Sequence, residues 1–139
     1  FPRPEITFEV AGIENAPIQM KTFDFVVDHC ASTHTTLSTT SQFYQGIKGN
    51  LKAGAHIFWR GFADDNGFKK FGERQDDGSY RDFTESLFKP LGQVTFFTED
   101  DLYKVFEGYQ IRSLRHLSDT DVSTGLAHTS WIIEVKYEN

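Results

Sequence analysis

The apolar positions of this chain fall into separated runs. The run Phe23-Asp24-Phe25-Val26-Val27 shows no clean alternation and ends on Asp28, predicting a central parallel strand buried on both faces. A second such run, His56 to Phe62, follows about 30 residues later. Between them Phe43, Ile47 and Leu51 recur at i, i+4 and i+8 with Tyr44 beside them, the stripe of a helix of about three turns. Gly46 and Gly49 weaken that helix by about 1 kcal/mol each, and Thr40 or Ser41 is its expected N-cap. With Leu51-Lys52-Ala53-Gly54-Ala55 as a turn before the second run, the pattern is a βαβ unit. Upstream, Ile6 to Val10 alternates apolar with polar and predicts a short strand with one wet face, ended by a turn at Asn15-Ala16-Pro17. The Thr/Ser-rich run Thr33 to Ser41 reads as loop.

Residues 63–93 are charged and glycine-bearing, with Phe68, Phe71, Tyr80, Phe83 and Phe88 at no sustained period. The segment is expected to be a long lid-like excursion, or a satellite core laid over the sheet. Order resumes at Val94-Thr95-Phe96-Phe97. Thr98-Glu99-Asp100-Asp101 opens a helix with a hydroxyl cap and acids at its positive end, Leu102, Val105 and Phe106 form its buried stripe, and Gly108 stops it. Alternation from Tyr109 to His116 and from Trp131 to Tyr137, joined by a turn region around Gly125, predicts an antiparallel hairpin. The whole, 1–139, reads as a single α/β domain, its sheet mostly parallel with an antiparallel C-terminal strand.

Composition narrows the function. Fourteen Phe, five Tyr and two Trp point to an aromatic core, while a net charge of −6 with one adjacent basic pair, Lys69-Lys70, leaves no footprint for nucleic acid. The single cysteine, Cys30, excludes an internal disulfide, and no apolar run approaches a membrane span, so the expected location is a reducing cytoplasm. The chain begins at Phe1-Pro2-Arg3-Pro4 without an initiator methionine, suggesting processing or a piece of something longer.

The words used, in their order, resemble the C-terminal half of a class I S-adenosylmethionine-dependent methyltransferase. Phe23-Asp24-Phe25-Val26-Val27-Asp28 is similar to that family's fourth strand, and Leu51-Lys52-Ala53-Gly54-Ala55 to the turn before the fifth. Phe96-Phe97-Thr98-Glu99-Asp100-Asp101-Leu102 is similar to the opening of the last helix, and Trp131-Ile132-Ile133-Glu134-Val135-Lys136 to the final strand. The resemblance implies half of a doubly wound, Rossmann-like sheet whose parent order is 3-2-1-4-5-7-6. It also implies methyl transfer from S-adenosylmethionine to a small-molecule acceptor. Two departures stand out: the glycine-rich cofactor turn and the ribose-binding acid have no counterpart here, and Gly12 stands where the adenine-side turn usually carries Asp. Loss of strands one and two also strips the neighbour from the fourth strand, so a homodimer is expected through that exposed sheet edge or by exchange of the strand at Ile6 to Val10.

On this resemblance Gly12, Ile13, Glu14, Asp28, His29 and Ser32 line the cofactor, and His34, Tyr44 and Arg60 face the acceptor. No residue is assigned as catalytic, since positioning supplies most of the rate of such a displacement and a base is optional. Asp28 alternatively caps its own loop. His29, Cys30 and His34 do not read as a metal site, because adjacent strand residues point to opposite faces. Cys30 lacks a visible base for nucleophilic work and reads as a small buried thiol. The competing function is a non-catalytic module of the same architecture acting by self-association or partner binding. A third option is a small ligand-binding protein using the Thr/Ser loop as an anion cradle.

Overall fold

The computed structural model describes residues 5–16, 18, 22–85 and 87–139. Its main sheet has four strands, β1 (Phe23–His29), β2 (Leu51–Phe62), β5 (Gln110–Thr120) and β6 (Ala127–Lys136), in the order β1-β2-β6-β5. β1 pairs with β2 in parallel, whereas β2 with β6 and β5 with β6 are antiparallel. Three strands therefore run one way and the C-terminal strand runs against them, although only one of the three ladders is parallel. A two-stranded ribbon, β3 (Glu73–Arg74) with β4 (Tyr80–Arg81), stands apart.

Two helices, α1 (Leu37–Gly46) and α2 (Glu99–Val105), cover one face. Tyr44 and Ile47 from the α1 side and Leu102, Val105 and Phe106 from the α2 side pack on Ala55, Ile57 and Trp59 of β2 and Ile133 and Val135 of β6. Period-2 alternation sends the intervening residues to the other face: Phe25, Val27 and His29 of β1, with His56, Phe58 and Arg60 opposite them on β2. The end of that second face is closed by the excursion, where Phe62 packs with Phe83, Phe88, Val94 and Phe96 and with the partly buried Phe68 and Phe71. Segment 63–93 thus builds a satellite core, with a 3₁₀ turn at Gly67–Phe71 and a bridge from Tyr80 to Val94.

Several sequence expectations need correction. Residues Ile6 to Val10 form no strand; Ile6, Phe8 and Val10 are exposed and no strand ladder among the described residues includes the segment, without which alternation alone does not make a strand. β1 is an edge strand, not a central one, and Phe25 and Val27 are 56% and 62% exposed. α1 starts earlier than expected, because Thr36 caps it by accepting from the Thr39 N–H at 3.0 Å and the Thr40 hydroxyl donates back to the Thr36 carbonyl. Ile47 and Leu51 fall outside α1, in a 3₁₀ turn and at the start of β2. The expected turn at Leu51–Ala55 is the irregular beginning of β2, where Gly54 has φ +82° and the ladder continues by Gly54 N–H to Tyr137 O. α2 forms as expected, with a capping box between Thr98 and Asp101 and Gly108 at φ +80° beyond it. Val94–Phe97 makes only single bridges. Pro17, part of the turn expected at Asn15-Ala16-Pro17, lies outside the described residues.

Candidate functional site

β1 ends at the carboxyl edge of the sheet, the edge at which open α/β sheets bind ligands. The chain turns there through Cys30, whose φ of +63° places a non-glycine residue in the left-handed region. Asp28 holds this turn: its Oδ1 accepts from the N–H groups of Ala31 (2.9 Å) and Ser32 (3.3 Å), and its Oδ2 accepts from the Tyr44 hydroxyl at 2.8 Å. Burial, and then the Asp28 charge beside it, push the Tyr44 phenol well above its ordinary pKa, so it stays a donor. Tyr44 is in turn fixed at its backbone, where its carbonyl accepts from the Tyr109 hydroxyl.

Beside this turn lies a cleft of about 470 Å³, between β1, the loop that leads into α1, the last turn of α1 and the 3₁₀ turn at Ile13–Asn15. Val26, Val27, Ala31 and Phe43 give apolar walls; Glu14, Asp28, His34 and Tyr44 supply polar groups. Of the residues singled out in the sequence, Gly12, Ile13, Glu14, Asp28, His34 and Tyr44 all line the cleft, although they are widely separated along the chain. His29, Ser32 and Arg60 do not. Ser32 is fully buried and its hydroxyl accepts from the Trp59 indole N–H at 2.7 Å, which ties the loop to β2. His29 and Arg60 lie on the face opposite the helices, 3.4 Å apart. Gly61 belongs to the same support: a β-carbon there would stand 2.8 Å from the Thr33 methyl, with the Trp59 indole closer still.

Sequence reading missed Phe43 and Thr35 as cleft residues and Gln93 as a partner of His34. The His34 Nδ1 lies 3.0 Å from the Gln93 carbonyl oxygen, a group that only accepts, so Nδ1 carries the hydrogen. No pattern in the sequence signals that contact, which joins positions 59 residues apart. The hydroxyls proposed for an anion cradle are spent locally: Thr33 donates to Cys30 O, Thr35 to Thr36 O, and Thr40 shares its one hydrogen between Thr36 O and Ser32 O. The Cys30 thiol is pushed up by burial and by Asp28, against the pull of Arg60. Among the described residues no group of three His, Cys, Asp or Glu is placed to hold a metal, and no helix is long and apolar enough to cross a membrane.

No family model and no curated protein matches this sequence. Solved structures do. An S-adenosylmethionine-dependent methyltransferase from Methanosarcina mazei superposes with a TM-score of 0.70 at 17% identity, over 94% of this chain and 66% of the other. One from Clostridium acetobutylicum gives 0.64 at 12%, over 99% and 66%. The 1,6-didemethyltoxoflavin-N1-methyltransferase of Burkholderia thailandensis, solved with 1,6-didemethyltoxoflavin and S-adenosylhomocysteine, gives 0.60 at 12%, over 91% and 48%. The chain spans between about half and two thirds of the length of these three structures. Its fold is that of the class I S-adenosylmethionine-dependent methyltransferases.

Proposed function

We propose that this chain is the acceptor-side half of a methyl-transfer unit that uses S-adenosylmethionine and a small-molecule acceptor. The observation that carries the reading is the cleft at the carboxyl end of β1, into which Gly12, Ile13, Glu14, Asp28, His34 and Tyr44 converge. The strand order β1-β2-β6-β5 supports the same reading, since it corresponds to the 4-5-7-6 portion of a doubly wound methyltransferase sheet.

The residues present fit one side of the cofactor. The turn at Gly12 to Glu14, which on this reading would take the base end, borders the cleft, and the cleft's size is that of a small-molecule site. Bound S-adenosylmethionine supplies an electrophilic methyl group. The protein's own part is positional: Asp28, clamped by Tyr44, fixes the turn that would border the reacting end, and Val26, Val27 and Phe43 give the cleft apolar walls. His34 presents Nε2 to the acceptor. His29, Ser32 and Arg60 act on this reading by supporting the loop and sheet edge rather than by touching ligand. On this reading a second copy of the chain pairs at the edge of β1 and, having the same sequence, brings no glycine-rich turn or ribose-binding acid of its own, so the ribose and methionine ends would be held by other groups. The single cysteine fits work in a reducing cytoplasm.

A second reading, a non-catalytic module of this fold working by association, is favoured by a specific observation: the Tyr44 proton and three acceptor sites of Asp28 are used inside the fold to hold the turn and the helix. Calorimetric titration with S-adenosylmethionine, alongside the mass of the chain in solution, separates the two. Micromolar binding by a dimer supports methyl transfer; a folded dimer that binds no cofactor supports the module.

A further inference from the structure

The loop that follows β4 gathers cations, whereas no Lys or Arg lines the cleft. Arg81, at the end of β4, and Lys89 line a separate cavity of about 450 Å³, together with Asp82, Thr84 and Gly92. Two cations stand there against one carboxylate, in a chain whose net charge is −6. Among the described residues the Lys89 ammonium has no hydrogen-bond or ion-pair partner. Arg81 spends one N–H on the Gln93 side-chain oxygen, at 2.5 Å, and has no carboxylate at ion-pair distance among the described residues.

Gln93 supplies an independent observation. Its Nε2 is buried and donates to nothing among the described residues, while its Oε1 accepts from Arg81. Turning the amide over would set N–H groups against the guanidinium, so the orphan donor is held in place by its neighbour. A buried donor left unpaired is unfavourable, and an acceptor that comes within reach recovers the loss. Gln93 also stands between the two cavities. It follows Gly92 and bonds Arg81, both of the first, and its carbonyl takes the Nδ1–H of His34, which lines the cleft.

We propose that Arg81, Lys89 and the Gln93 amide form an oxyanion site, separate from the cleft, which takes the carboxylate or phosphate of a small molecule. An oxyanion brings only acceptors, and the groups it meets have N–H donors to spare; the one acceptor among them, Gln93 Oε1, is already held by Arg81. Asp82 offsets one of the two positive charges, which sets the expected affinity in the millimolar range. The site does not depend on methyl transfer. An enzyme and a non-catalytic module of this fold would hold the anion alike.

The test is a titration of the ¹⁵N-labelled chain with inorganic phosphate and, separately, with acetate, the ionic strength being kept constant with chloride. Saturable shifts at millimolar concentration are expected in the Gln93 side-chain N–H₂ and the Gly92 N–H. Lys89→Met and Arg81→Gln are each expected to weaken binding about tenfold. Both positions are exposed, so both variants are expected to keep the spectrum of the folded core. Tighter binding of phosphate than of acetate would identify a phosphate-bearing ligand, and the reverse order a carboxylate-bearing one. Shifts that never saturate or that chloride reproduces would overturn the site. So would phosphate binding that leaves the Gln93 N–H₂ unmoved, or binding that is unchanged in either variant.

Discussion

The Tyr44 hydroxyl donates to Asp28 Oδ2 at 2.8 Å, joining the last turn of α1 to the end of β1 through a pair that is almost wholly buried. Because Asp28 Oδ1 simultaneously holds two N–H groups of the following turn, one carboxylate sets both the helix and the loop that frame the cleft. Asp28→Ala orphans three donors, two of them buried, and we expect a loss of about 3 kcal/mol in denaturant unfolding. Tyr44→Phe removes one charge-assisted bond and keeps the ring's packing on Phe106, for a loss of about 1–2 kcal/mol. Equal, sub-kcal effects would show that the pair does not hold the site.

His34 is expected in one tautomer. With Nδ1–H turned to the Gln93 carbonyl, the ring-nitrogen resonances of ¹⁵N-histidine-labelled protein should show a protonated Nδ1 and an unprotonated Nε2 when the ring is neutral. Arg81 donates to the Gln93 side chain, which steadies this partner. Finding the hydrogen on Nε2 instead would remove the acceptor from the cleft.

The elements that depend on local signals were legible in the sequence. Thr98 with Asp101 and the buried stripe Leu102-Val105-Phe106 need only neighbours along the chain, and they form where their residues indicate; the β5–β6 hairpin forms too, but its strands run on to Thr120 and from Ala127, through residues that read as a turn region from Ser118 to Ser130. What depends on distant partners was not. Phe25 and Val27 have the composition of a buried strand, yet burial requires a neighbour on the far side of β1. The start of α1 was hidden because Thr36 to Thr40 look like loop residues until Thr40 is seen bonding back to Thr36. Six of nine candidate site residues meet in one cleft. The three that do not were misplaced by side-chain direction: His29 and Arg60 share the opposite face, and Ser32 turns inward to Trp59.

The open edge of β1 makes a prediction about assembly. An apolar strand with one unpaired row of backbone groups pairs with another chain unless it is blunted, and Phe25 is exposed on it. Sedimentation velocity is expected to give twice the chain mass. Phe25→Lys, which adds a charge to the edge outside the cleft lining, should return the monomer. A monomeric unaltered chain would remove the edge as an interface.

His128 gives the fold a pH dependence of definite sign. Its ring sits 5.6 Å from Phe62 and 5.9 Å from both Phe68 and Phe88, so burial, reinforced by the Arg60 charge and opposed by Asp119, holds its pKa below the ordinary 6.5. A depressed folded-state pKa means that the unfolded chain binds the proton more readily. The neutral ring's contribution is therefore complete above pH 6.5 and is lost as pH falls below it toward the folded value. Carboxylates add their own acid destabilisation, so the informative quantity is a difference. The unfolding midpoint of the unaltered chain should fall between pH 7.5 and 5.5 more steeply than that of His128→Gln, with the curves closest at the acidic end (about one unit either side of 6.5). Parallel curves would mean that the ring titrates alike in both states and that the aromatic cage does not exclude the charged form.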